Sequence, residues 1–301
     1  MNDIEQLNEQ FGVDQQIRFY SGNGRLPTVE MVNRFGKTAV SIYAGHVLSY
    51  QPHDQEPVLW VSQLAQYSEG KAIRGGIPVI WPWFGAHPTD DTKSSHGLAR
   101  RMAWEVVGTQ ASGDSRILRL SLTDNADTRA IWPYPFQLTL TVILDHTLTV
   151  DLAMANTGNT PFTITQALHS YFTISDVTQI AIHGLDQTAY LDQLDNMQRK
   201  RQSGPITIDE EVDRIYVDTT ADCVIEDATL GRRIRIAKQG SGSTVVWNPW
   251  IAKAARMGDF GDEEYQGMVC IETTNAADDK VTILPGDGHR ITAVISAEPL
   301  N

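Results

Sequence analysis

The chain has 301 residues, of which 41% are hydrophobic, and a formal net charge of −13. This length fits one large β domain or two ordinary domains, and no run approaches the roughly 18 apolar residues of a membrane helix. The negative charge argues against nucleic-acid partners, which need a basic face, whereas a small anionic ligand needs only two or three arginines in one pocket.

The first predicted element is a short helix near the N-terminus. Ile4, Leu7 and Phe11 fall near helical spacing among Asn, Glu and Gln. The same stretch lacks the basic segment followed by an apolar segment that marks a signal or transit peptide. We therefore expect a cytoplasmic protein with no membrane partner.

Two regions lack a sustained period. Residues 51–113 are rich in Pro, Gly and Trp, and irregular segments of this length inside a compact domain are usually functional. A second loop, at 248–266, carries Asp259, Asp262, Glu263 and Glu264. We expect this charge run to form solvated surface.

Strands dominate the rest of the chain. Apolar and polar residues alternate with a period of two in residues 117–124, 136–144 and 148–154, and Asp145-His146 between the last two is short enough for a hairpin. Later segments are short, mostly apolar or β-branched, and bounded by Gly, Pro, Asn or Asp: 232–237, 243–247, 267–273, 281–284 and 290–296. Because nothing resembles a crossover helix, we expect one all-β domain over residues 1–301, a large antiparallel sandwich with few short helices.

The familiar cofactor and metal motifs are absent. The sequence has no Walker loop, HExxH or GxSxG, and Gly22 and Gly24 precede a proline rather than a helix. Its eight histidines are scattered singly, and Cys223 and Cys270 lack the paired spacing of a zinc site. We expect no metal, and we expect both cysteines to be reduced core residues.

Two residues are candidates for proton transfer. His169 ends the predicted strand 160–169 on the face opposite Phe162, Ile164 and Leu168, and an imidazole on a polar face suits acid/base work near neutral pH. Glu272 is out of character in the apolar strand GMVCIETTN. Either that strand ends there or the carboxylate is partly buried, which would raise its pKa towards that of a useful base. Taken locally, each could equally be a structural polar residue.

Arginines and aromatic residues suggest a ligand pocket. In KAIRGGIPVIWPWFG, Arg74 lies beside two glycines, and SSHGLARR supplies His96, Arg100 and Arg101. The planar guanidinium fork matches phosphate oxygens, although surface ion pairs are the alternative for any single arginine. Trp83 and Trp247 are candidates for packing against sugar C–H surfaces.

Six segments in this order resemble the hexose-6-phosphate mutarotases of the aldose-epimerase-like superfamily. They are KAIRGGIPVIWPWFG, HGLAR, ALHSYF, VDRIY, VWNPW and the strand ending in Glu272. The resemblance implies a β-supersandwich whose concave face holds the sugar, with His169 and Glu272 at the anomeric centre. It also implies ligand binding by Arg74, Arg100 and Asp213, with His96 in the same pocket. Ser95 stands where some members have Gln, so it is a weaker contact residue. Arg101, where relatives often have Asn, either adds to an anion site or points outward.

The activity so implied is an isomerase reaction, the interconversion of the α and β anomers of hexose 6-phosphates. Glu272 would remove the proton of the C1 hydroxyl while protonated His169 protonates the ring oxygen, and the same residues in exchanged roles would close the ring. The reaction needs no cofactor, and the expected partner is a small-molecule sugar phosphate bound by a monomer. Two alternatives stay open: an aldose 1-epimerase acting on unphosphorylated sugars, and a non-catalytic carbohydrate-binding sandwich.

Overall fold

The structure is a computed structural model that describes residues 3–300. Among these residues the α-helices are short: α1 (Ile4–Phe11), α2 (Ala126–Ile131) and α3 (Trp250–Ala254). Single 3₁₀ turns lie at Asn23–Arg25, Ala99–Arg101, Gln193–Asp195, Glu264–Gly267 and Ala277–Asp279. The predicted N-terminal helix is confirmed, and Asp3 caps it by accepting a hydrogen bond from the Glu5 amide. No helix within this range is long and apolar enough to cross a membrane.

The strands, numbered in chain order, make up most of the fold. They are β1 (Ile17–Ser21), β2 (Pro27–Val32), β3 (Gly36–Ser41), β4 (His46–Pro52), β5 (Val79–Ile80), β6 (Glu105–Ser112), β7 (Ser115–Thr123), β8 (Phe136–Leu144), β9 (Leu148–Asn156), β10 (Phe162–Ile164), β11 (Gln166–Leu168), β12 (Tyr171–Thr173), β13 (Ile180–His183), β14 (Ala189–Asp192), β15 (Gln198–Arg201), β16 (Val212–Tyr216), β17 (Cys223–Asp227), β18 (Arg232–Gln239), β19 (Ser243–Asn248), β20 (Met268–Asn275), β21 (Val281–Ile283) and β22 (Gly288–Pro299).

These strands form two large sheets and two small ones. The long-strand sheet has the order β13-β17-β18-β22-β9-β8-β7-β6. The short-strand sheet has the order β15-β14-β16-β19-β20-β11-β5, with β12 also paired to β20. Strands β1 to β4 form a third sheet, and β10 pairs with β21. Every pairing between these named strands is antiparallel, which confirms the predicted fold class.

The core lies between the sheets. One hydrophobic cluster draws Leu140 and Ile295 from the long-strand sheet, Val245 and Ile271 from the short-strand sheet, and Val29 from the third sheet. Alternation along β8 buries every second side chain in this cluster, as the period-two pattern predicts. The hairpin is also confirmed, since Leu144 pairs with Leu148 across the turn.

Two strand predictions are corrected. Residues 160–169 do not form one strand, because the chain changes sheets at Thr165: β10 pairs with β21, whereas β11 pairs with β20 and β5. At that break the Thr165 amide donates to the Pro82 carbonyl and its hydroxyl accepts from the Phe84 amide. The end of the irregular region 51–113 is also a strand, β6, whose alternation is interrupted by a bulge between Val106 and Gly108.

The charge run in 248–266 is only partly solvated surface. Asp262 and Glu263 are exposed, as expected. By contrast, Asp259 forms an ion pair with Arg74, with 3.2 Å between Oδ1 and Nη2. Glu264 accepts hydrogen bonds from the Ser62 hydroxyl and the Gln63 amide. The prediction was therefore wrong for Asp259 and Glu264, which tie this loop to distant parts of the chain.

Candidate active site

The middle of the short-strand sheet brings His169 and Glu272 together. Strand β20 continues past Glu272 to Asn275 and is buried along its whole length, so the carboxylate is only 2% exposed. His169 directly follows β11, where its amide donates to the Pro78 carbonyl. The Nε2 atom of His169 lies 3.3 Å from Oε1 of Glu272. Two ionisable residues that are far apart in sequence are thus in contact.

Aromatic neighbours hold the His169 ring. The ring lies parallel to that of Tyr171, with centroids 4.7 Å apart and 7° between the planes. Trp247 and His96 meet it edge-on, at 6.2 Å and 5.8 Å. This packing leaves the imidazole little freedom to turn away from Glu272.

Burial sets the protonation of the pair. It raises the pKa of Glu272 well above its ordinary value, and Asp213 adds to the effect. Burial likewise lowers the pKa of His169 well below its ordinary value, helped by His96 and Arg100. Both shifts favour the uncharged forms, so the pair shares one proton. The sequence predicted His169 on a polar, accessible face with an ordinary pKa, but its side chain is only 9% exposed and its pKa is lowered.

A pocket of about 340 Å³ opens over this pair. All seven residues predicted for the site line it: Arg74, Ser95, His96, Arg100, His169, Asp213 and Glu272. The remaining lining residues are Phe84, Gly85, Ala86, Gln193, Trp247, Lys253 and Met257. Trp247 therefore lies where a sugar-packing residue was expected. Trp83 lies outside this pocket, where its indole N–H donates to the Ser94 carbonyl.

Asp213 on β16 is held by two residues that the sequence did not indicate. The Gln193 side-chain amide donates to its Oδ1, and Lys253 Nζ lies 3.5 Å from its Oδ2 and 3.2 Å from Glu211. Burial raises the pKa of Asp213, and Lys253 opposes that shift. Gln193 comes from a 3₁₀ turn and Lys253 from α3, elements too short for a residue pattern to reveal.

His96 presents one defined nitrogen. Its Nδ1 accepts a hydrogen bond from the Gly85 amide, which leaves the hydrogen on Nε2 as a donor. Burial, followed by the charge of Arg100, lowers its pKa to about 3, so it is neutral at physiological pH. Gly97 follows with a φ of 69°, and a Cβ there would lie 2.0 Å from the Trp81 carbonyl oxygen. The HGLAR segment therefore needs glycine after His96, because any larger residue would clash with the Trp81 backbone.

A second cavity of about 320 Å³ adjoins the first and shares Arg74, Ser95 and Arg100 with it. We call it the basic pocket, defined by Lys71, Arg74, Arg100 and Arg101. Arg101 therefore lines this pocket rather than pointing outward. Among residues 3–300, Arg74 alone of the four has a carboxylate partner, Asp259.

The arginines of the basic pocket have buried N–H groups that make no hydrogen bond within residues 3–300. Arg74 donates to the Tyr171 hydroxyl at 3.0 Å and Arg100 to the Ser95 carbonyl at 3.0 Å. The Nε–H groups of Arg74, Arg100 and Arg101 are buried without an acceptor in the described part of the chain. Burial lowers the pKa of Arg100 to about 10. An excess of cationic donors in a cavity favours a small anion.

Within residues 3–300, no three His, Cys, Asp or Glu side chains converge in a way that could hold a metal ion. Cys223 and Cys270 are free and buried, as predicted.

The chain is similar to proteins of one family over most of its length. Residues 27–296 match the family profile described as Aldose 1-epimerase. The chain is 34% identical to a protein of Cenchrus ciliaris over 86% of this chain and 81% of the relative. It is 33% identical to a protein of Escherichia coli (strain K12) over 82% of each. Both relatives carry the name "Putative glucose-6-phosphate 1-epimerase". The crystal structure of a "putative mutarotase (YeaD)" from Salmonella typhimurium superposes with a TM-score of 0.89 at 28% identity, covering 96% of each chain.

Proposed function

The chain belongs to the aldose 1-epimerase family, and on that premise we propose that it interconverts the α and β anomers of hexose 6-phosphates. The observation that carries the proposal is the position of the basic pocket beside the His169–Glu272 pair. A sugar bound over the pair would have cationic donors within reach of a phosphate. The names of the curated relatives support the same substrate class.

In the proposed mechanism, the shared proton of the buried pair does the chemistry. To react with the closed sugar, the pair moves its proton from Glu272 to His169, so that Glu272 is the carboxylate and His169 the imidazolium. Glu272 takes the proton of the C1 hydroxyl, His169 gives its proton to the ring oxygen, and the bond between C1 and the ring oxygen breaks. The pair is then uncharged, which is the form that burial favours.

The open-chain aldehyde rotates about the C1–C2 bond and presents its other face. His169 then takes the proton back from the hydroxyl that attacks C1, and Glu272 returns its proton to the carbonyl oxygen. The pair ends as it began, so no proton is gained or lost in a cycle.

The other pocket residues would orient the sugar. Asp213 accepts hydrogen bonds from sugar hydroxyls, and His96 donates one from Nε2. Trp247 offers an apolar edge to the sugar ring. The four cations of the basic pocket bind the phosphate, with Ser95 at the boundary between the two cavities.

Magnetisation-transfer NMR on the anomers of glucose 6-phosphate and glucose tests the proposal. We expect exchange well above the buffer rate with the sugar phosphate. In the double variant Arg74→Ala/Arg100→Ala, KM for glucose 6-phosphate should rise much more than KM for glucose, because each lost charge-assisted hydrogen bond costs about 1.5–3 kcal/mol. Equal effects on both sugars would favour an aldose 1-epimerase of free sugars. Exchange at the buffer rate alone would favour a non-catalytic sandwich.

We propose in addition that residues 1–301 act as a single domain and as a cytoplasmic monomer. The hydrophobic cluster that runs from Leu7 to Ile295 supports the single domain. Light scattering coupled to gel filtration would test the monomer, since a dimer would double the measured mass.

A further inference from the structure

Tyr171 lines the basic pocket and packs against His169, which lines the cavity over the catalytic pair. It lies on β12, opposite Cys270 of β20, and is 2% exposed. Its ring lies flat against His169, beneath the candidate active site. Its hydroxyl accepts a hydrogen bond from Nη1 of Arg74 and lies at the wall of the basic pocket. One side chain thus joins the proton-transfer pair to the cations.

The Tyr171 ring has no room to move independently of its neighbours. Trp60 stacks on it with ring centroids 5.8 Å apart, and Trp247 meets it edge-on at 6.0 Å. The backbone is equally held, because the Tyr171 amide donates to the Gly76 carbonyl and its own carbonyl accepts from the Trp60 amide. A shift of the hydroxyl would therefore move the ring that supports His169.

The hydroxyl has one hydrogen left to donate. It already accepts from Arg74, and it donates no hydrogen bond to another group among residues 3–300. A phosphate oxygen in the basic pocket would supply that acceptor. The phosphate would then hold Arg74 and Tyr171 together, in competition with the Arg74–Asp259 ion pair.

We propose that Tyr171 is a positioning residue through which the substrate's phosphate orients His169, so that the phosphate accelerates turnover as well as anchoring the sugar. This inference rests on the proposed function. Its physical basis is that binding energy from a remote group can be used to orient catalytic groups at the reacting centre. Phosphate binding at Arg74 reaches the imidazole through a hydrogen bond and a ring stack.

The test uses Tyr171→Phe, which keeps the ring stack and removes the hydroxyl. With glucose 6-phosphate, kcat should fall, whereas loss of an anchor alone would raise KM and leave kcat unchanged. The ratio of kcat/KM for glucose 6-phosphate to that for glucose should drop about tenfold.

A second arm separates the phosphate from the sugar. Phosphite dianion added to wild-type protein should increase the turnover of glucose, because it can occupy the basic pocket without being covalently attached to the sugar. Tyr171→Phe should lose most of that activation. A merely structural tyrosine would not alter the response to phosphite.

Tyr216→Phe is the matched control. Tyr216 is also buried, and its hydroxyl donates to Gln202 at 2.9 Å, so the same substitution removes one buried hydrogen bond outside both cavities. Its substrate ratio and phosphite activation should equal those of wild type. Melting temperatures of both variants show that the folded protein is being assayed.

The outcomes distinguish this inference from the proposed function. If wild-type protein turns over glucose and glucose 6-phosphate equally well, the proposed function fails and the role of Tyr171 fails with it. If wild type prefers the phosphorylated sugar but Tyr171→Phe keeps the wild-type ratio and phosphite response, the role of Tyr171 alone is overturned.

Discussion

The two large sheets have the same strand count and serve different purposes. In the long-strand sheet, β8 and β9 pair over nine consecutive residues, and fully buried Leu138 and Leu140 alternate with more exposed neighbours. In the short-strand sheet, β5 has two residues and β11 three, and β20 buries Glu272 and the polar residues that follow it. The first sheet supplies regular apolar packing, and the second concentrates buried polar groups.

This difference has a physical reason. A buried carboxylate or imidazole lowers the stability of the fold unless it is partnered. A protein with a site built from such groups therefore needs stabilising apolar packing elsewhere. The regular sheet can provide much of that packing because inward side chains such as Leu138, Leu140 and Leu152 add apolar burial and need no hydrogen-bond partner. We therefore expect substitutions in the two sheets to separate activity from stability.

Glu272→Gln should give the largest effect, and the effect should be on activity. Removing the base should lower kcat/KM by about 10²–10⁴-fold, equivalent to roughly 3–5 kcal/mol of transition-state stabilisation. The NMR exchange assay measures it. Glu226→Gln, at a partly exposed position outside the pocket, serves as control and should behave as wild type. Near-normal turnover in Glu272→Gln would remove this residue from the mechanism.

The stability of the same variant should depend on pH in a defined direction. Because burial raises the folded-state pKa of Glu272, the unfolded chain loses this proton first as pH rises from about 4.3, so wild-type stability declines up to the folded pKa. Glutamine has no such proton. The stability of Glu272→Gln relative to wild type, measured by urea unfolding, should therefore be greater at pH 8 than at pH 4. The opposite trend would contradict the raised pKa.

Leu140→Ala should give the converse result. Leu140 is fully buried on β8 between Leu120 and Leu152. The transfer and cavity terms together should cost about 2–5 kcal/mol of unfolding free energy. Urea unfolding measures this cost, while turnover per folded molecule should stay near wild type. A parallel loss of turnover would show that the two sheets are not separable.

Lys253→Met should act on substrate binding with a smaller effect. It keeps the aliphatic stem and removes the cation that opposes the raised pKa of Asp213. The Asp213 pKa should rise further. As pH falls, the ionised carboxylate is therefore lost earlier than in wild type, and KM begins to increase at a higher pH. At neutral pH we expect KM to increase about three- to tenfold.

The matched control for that variant is Lys200→Met. Lys200 also bridges two carboxylates, Asp192 and Asp195, but lies outside the pocket. Its KM profile should follow that of wild type, and a similar shift in both variants would point to a general charge effect.

Arg233→Ala should give the smallest effect. Arg233 pairs with Glu226 across β18 and β17, with both side chains substantially exposed, and such pairs contribute less than about 1 kcal/mol.

The neighbouring Arg232 provides the contrast, since it is 3% exposed and donates to the carbonyls of Glu56, Pro57 and Thr173. Arg232→Ala should cost at least about 2 kcal/mol, since those acceptors lose charged donors. Equal costs in urea unfolding would contradict this contrast.

Much of the long-strand sheet could be predicted from the sequence. Alternation identified β7, β8 and β9, and the short connection at Asp145-His146 identified their hairpin. Strands of eight or nine residues repeat the pattern several times, which distinguishes it from chance. Strand β6 was not predicted because the one extra residue of its bulge changes which alternate side chains face the core, and this interrupts the period-two pattern.

Less of the short-strand sheet could be predicted. Two- and three-residue strands such as β5 and β11 contain too few positions to show a period, and the change of sheet at Thr165 left no mark in the pattern. Local sequence named His169 and Glu272 only as polar residues of uncertain burial, and their pairing came from the family resemblance. Gln193, Lys253 and Tyr171 were not identified.

The sequence by itself determined the fold class, the regular sheet and, through six short segments, the family and its candidate residues. Only the tertiary structure decided that Glu272 is buried within β20 and 3.3 Å from His169. It also decided that Arg101 lines the basic pocket and that Tyr171 joins that pocket to His169. The reason is that periodicity reports which face of one strand is apolar, whereas burial, pKa and contact depend on which distant strands are placed beside it.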